Sequence, residues 1–402
     1  MKKIRKKMLK VICALIGVLI FVITFHSGAA AADARKIQGR DAENFGTLEM
    51  TIFWKGEEQL AGFRNFDKLY DTRMIERGDL VYPLFTELRD FSNFKYKFEG
   101  KIYSLDDYIA NHRVTGLLII KNNRIIAERY SLGNTATSRW VSYSVSKAVT
   151  SMLVGAAIQD GYIKSVDDKV SDYVRHLKGT SYDDVSIRNL MQMASGVEWN
   201  EDYADPKSDL NMMPTTSILE MIKFISTKKR VAKPGEKFNY NTAETNLVGA
   251  VVRSAIGNNL ATYLTDKIWA PFGMESDATW LLHGPGGGEW GGCCINAILR
   301  DYGRIGLFAM NDGKLADGTR VLPENWMKDS TQPSKAYPGY GYFWWLKDKG
   351  AYSAEGIFGQ LIYINPSENL IIATQSAWPV AWDDKHPAQR DAFLNAVNDF
   401  LG

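Results

Sequence analysis

Two apolar runs on either side of a short polar turn give the first clear structural signal in this chain. Leu117–Ile120 precedes the polar segment Lys121–Arg124, and Ile125–Ala127 follows it. Apolar runs that flank an Asn-Asn turn are typical of a β-hairpin. We therefore expect a sheet to begin near Gly116.

The apolar residues take up a helical spacing after Ser144. They recur at positions i, i+3, i+4, i+7 and i+8, the spacing of a helix that buries one face: Val149, Met152, Leu153, Ala156 and Ala157. Gly161 is the expected end of this helix. Similar spacing predicts a helix over Ser217–Thr227 and an amphipathic helix over Phe393–Leu401 at the C-terminus.

Strand character returns in the last part of the chain. Gly341–Trp345 has strand-like composition, and so do Gln360–Ile364 and Leu370–Thr374, which a polar turn joins. Strands and a helix near both ends, around a helical middle, predict an α+β protein. In this arrangement one antiparallel sheet is built from both ends of the chain, is flanked by N- and C-terminal helices, and carries an inserted helical lobe at about residues 146–297.

The first 104 residues divide into two segments. Residues 1–32 begin with a basic stretch, continue through fifteen largely apolar residues (Val11–Phe25) and end in a run of alanines. That order is typical of a secretory signal peptide, and the apolar stretch is shorter than the roughly 20 residues of a membrane span. We expect cleavage near Ala32 and export to the periplasm or medium, with an N-terminal membrane anchor as the alternative. Residues 33–104 lack clean periodicity, so we expect an arm over a main domain of residues 105–402.

Composition and charge exclude several classes of protein. The 402 residues are 45% hydrophobic and 12% aromatic, which rules out a disordered or collagen-like chain. Six of the 48 Lys and Arg residues lie in the expected signal peptide, so the rest of the chain holds 42 basic residues against 46 acidic ones. Such a chain has no general electrostatic attraction to nucleic acid or anionic lipid. We expect no nucleic-acid partner and infer no obligate protein partner.

Metal and cofactor chemistry find little support in the sequence. The five histidines are scattered, and the cysteines lack zinc spacing. Gly284–Gly288 is not followed by the Lys and Ser or Thr of a phosphate loop, and no Gly-x-Ser-x-Gly elbow is present. Cys293 and Cys294 are adjacent, and because bridging neighbours strains the ring we expect no disulfide between them. We therefore expect neither a metal nor a cofactor.

Ser144 and Lys147 are the first candidates for catalysis. The two residues stand three apart at the start of the predicted helix, so their side chains fall on one face within contact distance. Burial disfavours a charged amine, so a lysine in a cleft can lose its proton and then accept one from serine. The helix start adds backbone N–H groups where an oxyanion would form.

Several separated stretches around this pair together resemble a known superfamily. They are Ser142–Ala148, Leu190–Trp199, Pro234–Tyr240, Tyr340–Trp345 and Gly356–Gln360. From about residue 105 on, the chain is similar to the serine β-lactamase and penicillin-binding-protein superfamily. Within it the motifs resemble the branch of class C-like enzymes, esterases and nylon-oligomer (6-aminohexanoate-dimer) hydrolases. The resemblance implies a β-lactamase/transpeptidase-like fold.

The resemblance also implies a role for each matching residue. Ser144 resembles the acylated nucleophile, Lys147 its activating partner, and Tyr240 the tyrosine that passes a proton to the leaving group. Tyr240 would need a neighbouring ammonium to act as a base, since a phenol titrates near pH 10 in water. The oxyanion hole would pair the backbone N–H groups of Ser144 and Ile357.

Two departures from the β-lactamase pattern bear on the substrate. Ala354-Glu355-Gly356 stands where a cation and a hydroxyl before the glycine usually hold a carboxylate, and Thr242 replaces a usual amide. Both departures resemble the nylon-oligomer branch, and Glu355 would repel a carboxylate if it faced the cleft.

Further residues are expected at the substrate. In the nylon-oligomer branch a loop tyrosine, here Tyr203, closes over an amide substrate. Gly356 belongs to the strand beside the cleft, and either Trp344 or Trp345 is expected to wall it, because alternate strand residues face opposite sides.

The sequence thus favours a secreted serine hydrolase that cleaves a small ester or linear amide through an acyl-enzyme on Ser144. A β-lactamase or D-alanyl-D-alanine peptidase acting on cell-wall peptides stays open as an alternative. A non-catalytic binding or sensor protein of the same fold is the third hypothesis.

Overall fold

The computed structural model of the chain describes residues 40–44 and 51–402. The expected signal peptide and its cleavage site lie outside the described residues. Residues 33–39 and 45–50 of the expected arm lie outside them as well. Among the residues described, no helix is both long enough and apolar enough to span a membrane.

The strands and helices follow one another along the whole described chain. The strands are β1 Thr72–Ile75, β2 Phe85–Thr86, β3 Tyr96–Phe98, β4 Lys101–Tyr103, β5 Val114–Lys121, β6 Arg124–Tyr130, β7 Trp140–Val141, β8 Ala278–Leu281, β9 Ile295–Ala297, β10 Trp345–Leu346, β11 Tyr352–Glu355, β12 Leu361–Asn365 and β13 Leu370–Ser376. The α-helices are α1 Arg40–Glu43, α2 Gly56–Arg64, α3 Phe66–Leu69, α4 Leu105–Asn111, α5 Ser146–Gln159, α6 Val170–Tyr173, α7 Ile187–Met191, α8 Asp209–Met212, α9 Ile218–Ser226, α10 Thr242–Ile256, α11 Leu260–Leu264, α12 Ala270–Phe272, α13 Leu299–Met310, α14 Trp326–Ser330 and α15 Lys385–Leu401.

The strands of the described residues form three sheets. The largest has the order β10-β11-β12-β13-β5-β6-β2, the second the order β1-β8-β9-β7, and β3 pairs with β4. Neighbouring strands in the large sheet are antiparallel except β2 and β6, which are parallel. Strands from both ends of the chain therefore meet in one sheet, at the pairing of β13 with β5.

The large sheet is buried on both faces, and this explains the continuous apolar run in β5. Leu117 and Ile119 belong to the core that also contains apolar side chains of α4 and α15. Leu118 and Ile120 belong to the core shared with α13, α5 and the helical lobe. Because side chains alternate along a strand, successive residues of β5 enter different cores.

The structure confirms the predicted α+β class and most of the predicted elements. The hairpin turns at Asn122 and Asn123, whose φ angles of 51° and 61° suit asparagine in the left-handed region. The helices predicted after Ser144, near residue 220 and at the C-terminus are α5, α9 and α15. The strand predicted over Gly341–Trp345 is wrong in its extent. Only Trp345 enters a strand, because Phe343 takes a φ of 62° that breaks the extended backbone.

Two segments contribute strands to the sheets that the sequence pattern does not predict. The segment 146–297 is helical through α12 but ends in β8 and β9. Residues of the expected N-terminal arm supply β1, which pairs with β8, and β2, which pairs with β6. Strands of two to four residues are too short to show a period of two, so the sequence pattern does not reveal them.

Candidate active site

A tight turn between β7 and α5 places Ser144. The turn is a 3₁₀ helix, Tyr143–Val145, that leads directly into α5. Tyr143 has a φ of 43°, a left-handed conformation that is uncommon for a bulky residue and that marks local backbone strain. From Trp140 to Ala157 every residue is buried except Ser144, which is partly exposed. The turn therefore presents one hydroxyl at the surface of an otherwise closed core.

Lys147 lies directly beneath Ser144. Its Nζ is 2.9 Å from Ser144 Oγ, 3.1 Å from Thr242 Oγ1 and 3.0 Å from the carbonyl oxygen of Gly292. Burial lowers the pKa of Lys147 to about 8, although the carboxylate of Glu201 opposes this shift. The Gly292 carbonyl can approach so closely because a Cβ there would meet the side chain of Thr242 at 2.9 Å. The lysine is thus held at three points and has weakened proton affinity.

Glu201 is a site residue that the sequence motifs did not single out. Its carboxylate accepts hydrogen bonds from the side chains of Thr242, Trp199 and Tyr203 and from the backbone N–H of Thr242 at 3.1 Å. Burial raises its pKa, and Lys147 opposes the rise. In the sequence, Glu201 stands two residues before Tyr203, and Thr242 is the first residue of α10. Neither position forms a recognisable motif, so the sequence does not predict these contacts.

Tyr240 lies beside both members of the Ser144 and Lys147 pair. The amine of Lys147 is 5.2 Å from the centroid of its ring. Burial raises the pKa of Tyr240, and its hydrogen bond with Ser144 opposes the rise only in part. Trp345 stacks on Tyr240, with ring centroids 5.8 Å apart and planes at 17°. Tyr240 is therefore a neutral phenol at neutral pH, so the group poised to act as a base is Lys147.

The backbone at Ile357 carries an unoccupied donor. The N–H groups on either side are used, by Gly356 to the carbonyl of Gln360 at 2.8 Å and by Phe358 to Gln360 Oε1 at 3.1 Å. Within the part of the chain that the structure describes, the N–H of Ile357 donates to no other group. Ile357 and Ser144 both line the same cavity. A free N–H at this position can receive a developing oxyanion.

Ser144 opens into a cavity of about 620 Å³. Tyr203 lines it, and burial raises the pKa of this tyrosine, so it too is a neutral hydrogen-bonding group. Trp344 is fully buried and packs edge-on against Tyr352, with centroids 5.2 Å apart. The structure therefore brings Trp345 to Tyr240 but leaves Trp344 in the core, and neither tryptophan lines the cavity itself. Gly356 lies beside the cavity, where a Cβ would meet the carbonyl of Ser142 at 2.7 Å.

Glu355 does not line the cavity at Ser144. Its carboxylate is buried against Arg390 Nη2 at 2.7 Å and Lys347 Nζ at 2.8 Å, and Ser353 Oγ donates to it at 2.7 Å. Burial alone would raise the pKa of Glu355, but the two cations hold it below its usual range. The repulsion of a substrate carboxylate that the sequence suggested for Glu355 is thus removed, because two cations neutralise it.

Cys293 and Cys294 also line the cavity. The structure joins them in a disulfide across a cis peptide bond, so the expectation of two free cysteines is wrong.

A family model matches most of the chain. The family model for beta-lactamase matches residues 105–395, which contain Ser144, Lys147, Tyr240 and Ile357. The chain belongs to the beta-lactamase family. The match leaves out the described residues 51–104, although part of that segment lines the cavity.

Individual relatives of this beta-lactamase-family chain include hydrolases. It is 28% identical over 341 residues to the 6-aminohexanoate-dimer hydrolase of Paenarthrobacter ureafaciens, an alignment that covers 79% of this chain and 85% of the relative. A Bacillus anthracis structure proposed as a 6-aminohexanoate-dimer hydrolase has a TM-score of 0.76 at 20% identity, covering 86% of this chain and 94% of that one. A penicillin-binding protein from Bacillus halodurans has a TM-score of 0.58 at 16% identity, covering 74% and 99%. These structures confirm the predicted β-lactamase/transpeptidase-like fold.

Proposed function

We propose that the protein is a serine hydrolase that cleaves a small ester or linear amide through a covalent acyl-enzyme on Ser144. The observation that carries the proposal is the 2.9 Å contact between Ser144 Oγ and a buried Lys147 Nζ at the base of an open cavity. Hydrolases among the relatives of the chain support the reaction class.

The hydrogen bonds around Lys147 favour its role as the base. A neutral amine has two N–H donors and one lone pair. The carbonyl of Gly292 can only accept, and the hydroxyl of Thr242 donates to Glu201, so its oxygen is left to accept from the amine. Both N–H groups are then used, and the lone pair faces the hydroxyl of Ser144. Lys147 is thereby oriented to take the serine proton.

The proposed reaction follows from that orientation. Ser144 Oγ forms a bond to the substrate carbonyl carbon while its proton passes to Lys147. The carbonyl oxygen becomes an oxyanion that the N–H groups of Ser144 and Ile357 stabilise. The bond to the leaving group then breaks, and the proton reaches the leaving oxygen or nitrogen through the hydroxyl of Tyr240. Water then bonds to the acyl carbon while one of its protons passes to Lys147. The bond from that carbon to Ser144 Oγ breaks, Oγ takes the proton back from Lys147, and the carboxylic acid leaves.

The lining of the cavity favours uncharged acyl esters and linear amides over penicillins. The lining side chains include no Lys, Arg or His within the described residues, so the carboxylate of a penicillin finds no cation there. A missing charge-assisted hydrogen bond costs roughly 1.5–3 kcal/mol of binding. Tyr203 lines the same cavity, and because its hydroxyl donates to Glu201, its oxygen can accept a hydrogen bond from the N–H of a leaving amine.

Covalent labelling tests the proposal. A fluorophosphonate probe should label the protein, and Ser144→Ala should lose both labelling and ester hydrolysis while its thermal unfolding is unchanged. Ser92→Ala, which removes an exposed hydroxyl remote from the cavity, is the matched control. Undiminished hydrolysis by Ser144→Ala would overturn the assignment.

We also propose that the protein acts outside the cytoplasm after cleavage near Ala32, on the basis of the charge and apolar pattern of residues 1–32. Mass spectrometry of protein from its native host tests this. A mature N-terminus close to Asp33 supports export, and an intact N-terminus in the membrane fraction would support the anchor instead.

A further inference from the structure

A buried ion pair joins the two strands of the β10–β11 hairpin, outside the cavity at Ser144. One carboxylate oxygen of Glu355 lies 2.8 Å from Lys347 Nζ, and the other lies 2.7 Å from Arg390 Nη2 of α15. The side chain of Glu355 is 3% exposed and that of Lys347 is 18% exposed. Because separating buried partners leaves each charge without a counter-ion, this pair holds its geometry more firmly than a surface ion pair does.

The strand register places this ion pair across Trp345. Trp345 pairs with Ser353, and the backbone N–H of Lys347 donates to the carbonyl of Ala351 at 2.8 Å, so the pairing continues to Lys347. Lys347 follows Trp345 by two residues, and Glu355 follows Ser353 by two. In an antiparallel pair such positions share one face and lie on opposite sides of the Trp345–Ser353 pair. The contact of Lys347 with Glu355 therefore spans that pair.

Two observations agree with this placement. The hydroxyl of Ser353 donates to the carboxylate of Glu355 at 2.7 Å, as expected of neighbours on one strand face. Trp345, Lys347 and Glu355 also line one second cavity, of about 350 Å³. The indole of Trp345 thus lies beside the ion pair.

Trp345 in turn determines how the ring of Tyr240 can tilt. The two rings stack with centroids 5.8 Å apart and planes at 17°, and Tyr340 packs edge-on against Trp345 at 4.8 Å. The hydroxyl of Tyr240 is at the far end of its ring, so a tilt of the ring moves it relative to Ser144 and Lys147. A displacement of about 1 Å at a reacting group can cost a hundredfold in rate.

We propose that the ion pair of Lys347 and Glu355 positions Tyr240 for catalysis: it holds Trp345, and Trp345 holds the phenol that passes a proton to the leaving group. Lys347 and Glu355 are positioning residues, since neither lines the cavity at Ser144. This inference rests on the proposed hydrolase function, because it assumes that Tyr240 serves the leaving group.

Two butyrate esters with different leaving groups test the inference. p-Nitrophenolate is a stable anion and leaves without a proton, whereas ethoxide is a strong base and leaves as ethanol. Lys347→Met should therefore lower kcat/KM for ethyl butyrate by about tenfold, part of the contribution of a positioned proton donor, and leave p-nitrophenyl butyrate nearly unchanged. A merely structural role would lower both values alike, in proportion to the active fraction.

Further variants show that the contact with Glu355 matters. Lys347→Arg keeps the cation and should restore hydrolysis of ethyl butyrate. Asp391→Asn removes another carboxylate that Lys347 contacts, at 3.0 Å, and should leave the ratio of the two rates unchanged. Lys349→Met removes a lysine of the same turn that is 75% exposed, and is the matched control. If Lys347→Met does not fold, Lys347→Gln gives the same comparison with a polar side chain.

A double variant shows whether the effect passes through Tyr240. Tyr240→Phe removes the hydroxyl, keeps the ring, and should itself lower hydrolysis of ethyl butyrate. Adding Lys347→Met to Tyr240→Phe should cause no further loss, because the hydroxyl to be positioned is gone.

The outcomes distinguish this inference from the proposed function. Equal losses for both esters in Lys347→Met, no loss for either, or additive losses in the double variant would overturn the positioning role while the hydrolase assignment stands. Turnover of p-nitrophenyl butyrate alone by the wild type would do the same. Absence of both fluorophosphonate labelling and turnover of every ester would instead overturn the hydrolase assignment, and this inference with it.

Discussion

The acidity of a single side chain, Lys147, sets the pH dependence expected of the reaction. In the proposed reaction the amine accepts the serine proton only when it is neutral, and burial lowers its pKa to about 8. Because deprotonation creates the active form, kcat/KM should rise with pH up to a plateau above about pH 8. Lys147→Ala should lower kcat by roughly a hundred- to ten-thousandfold. An ascending limb near pH 6, or one retained in the variant, would contradict the assignment of Lys147 as base.

The second prediction at the residue scale concerns Glu201, whose negative charge determines the direction in which the pH profile should move. The carboxylate of Glu201 raises the pKa of Lys147 against the effect of burial. Glu201→Gln removes that charge, so the pKa of Lys147 should fall and the ascending limb of the pH profile should move to lower pH. The substitution also weakens the contact that orients Thr242, so kcat should fall more than KM rises. Glu220→Gln, on the exposed face of α9, should leave the profile unchanged, whereas a shift to higher pH in Glu201→Gln would refute the coupling.

At the scale of elements, the short helix α2 supports both candidate donors of the oxyanion hole. Phe63 is fully buried, and its ring centroid lies 5.1 Å from that of Tyr143 and 5.0 Å from that of Phe358. These two aromatic residues are the sequence neighbours of Ser144 and Ile357. One side chain from the N-terminal segment therefore holds the backbone next to each N–H group.

Substitutions of Phe63 should therefore show whether this residue affects only the free energy of unfolding or also kcat. Phe63→Ala leaves a cavity and should lower the free energy of unfolding by about 3–5 kcal/mol. Phe63→Leu fills most of that space and should cost less. If α2 positions the oxyanion hole, kcat should fall in both variants at temperatures where they remain folded, with KM nearly constant, and binding of a transition-state-like boronic acid should weaken in parallel. Unchanged kcat in folded Phe63→Ala would restrict this helix to a stabilising role.

At the scale of the whole molecule, the family-matched segment depends on the residues that precede it. β1 pairs along β8 in four positions, and Arg73 of β1 forms an ion pair with the buried carboxylate of Glu289. Removing the N-terminal segment would expose the edge of β8, leave Glu289 with Arg253 as its remaining cation, and uncover the aromatic cluster around Tyr143.

A truncated chain that begins at residue 105 should therefore fail to fold cooperatively. Its thermal unfolding followed by circular dichroism should lack a single sharp transition, and the protein should aggregate through the uncovered strand edge. A chain that begins at residue 33 should unfold in one sharp transition. Cooperative unfolding and full activity of the shorter chain would show that residues 33–104 are dispensable.

The sequence alone determined those features that depend on local pattern. Apolar periodicity identified the β5–β6 hairpin and helices α5, α9 and α15, since each has enough residues to show its period. The spacing of Ser144 and Lys147 put them on one helical face, because three residues make nearly one turn. The resemblance of motifs along the chain led to the family and to the fold.

Only the tertiary structure decided the features that depend on contacts between distant segments. Thr242 contacts Lys147 and donates to Glu201, which comes from a separate part of the chain, so no local pattern marks Glu201 as a member of the site. Glu355 is neutralised by Arg390 of the C-terminal helix, 35 residues away, which its neighbours in sequence could not indicate. Asp71, which precedes β1, lines the same cavity as Ser144, which follows β7 at the opposite edge of the four-stranded sheet. The physical reason is the same in each case: charge, burial and free hydrogen-bond donors are properties of an environment, and folding assembles that environment from residues far apart in the chain.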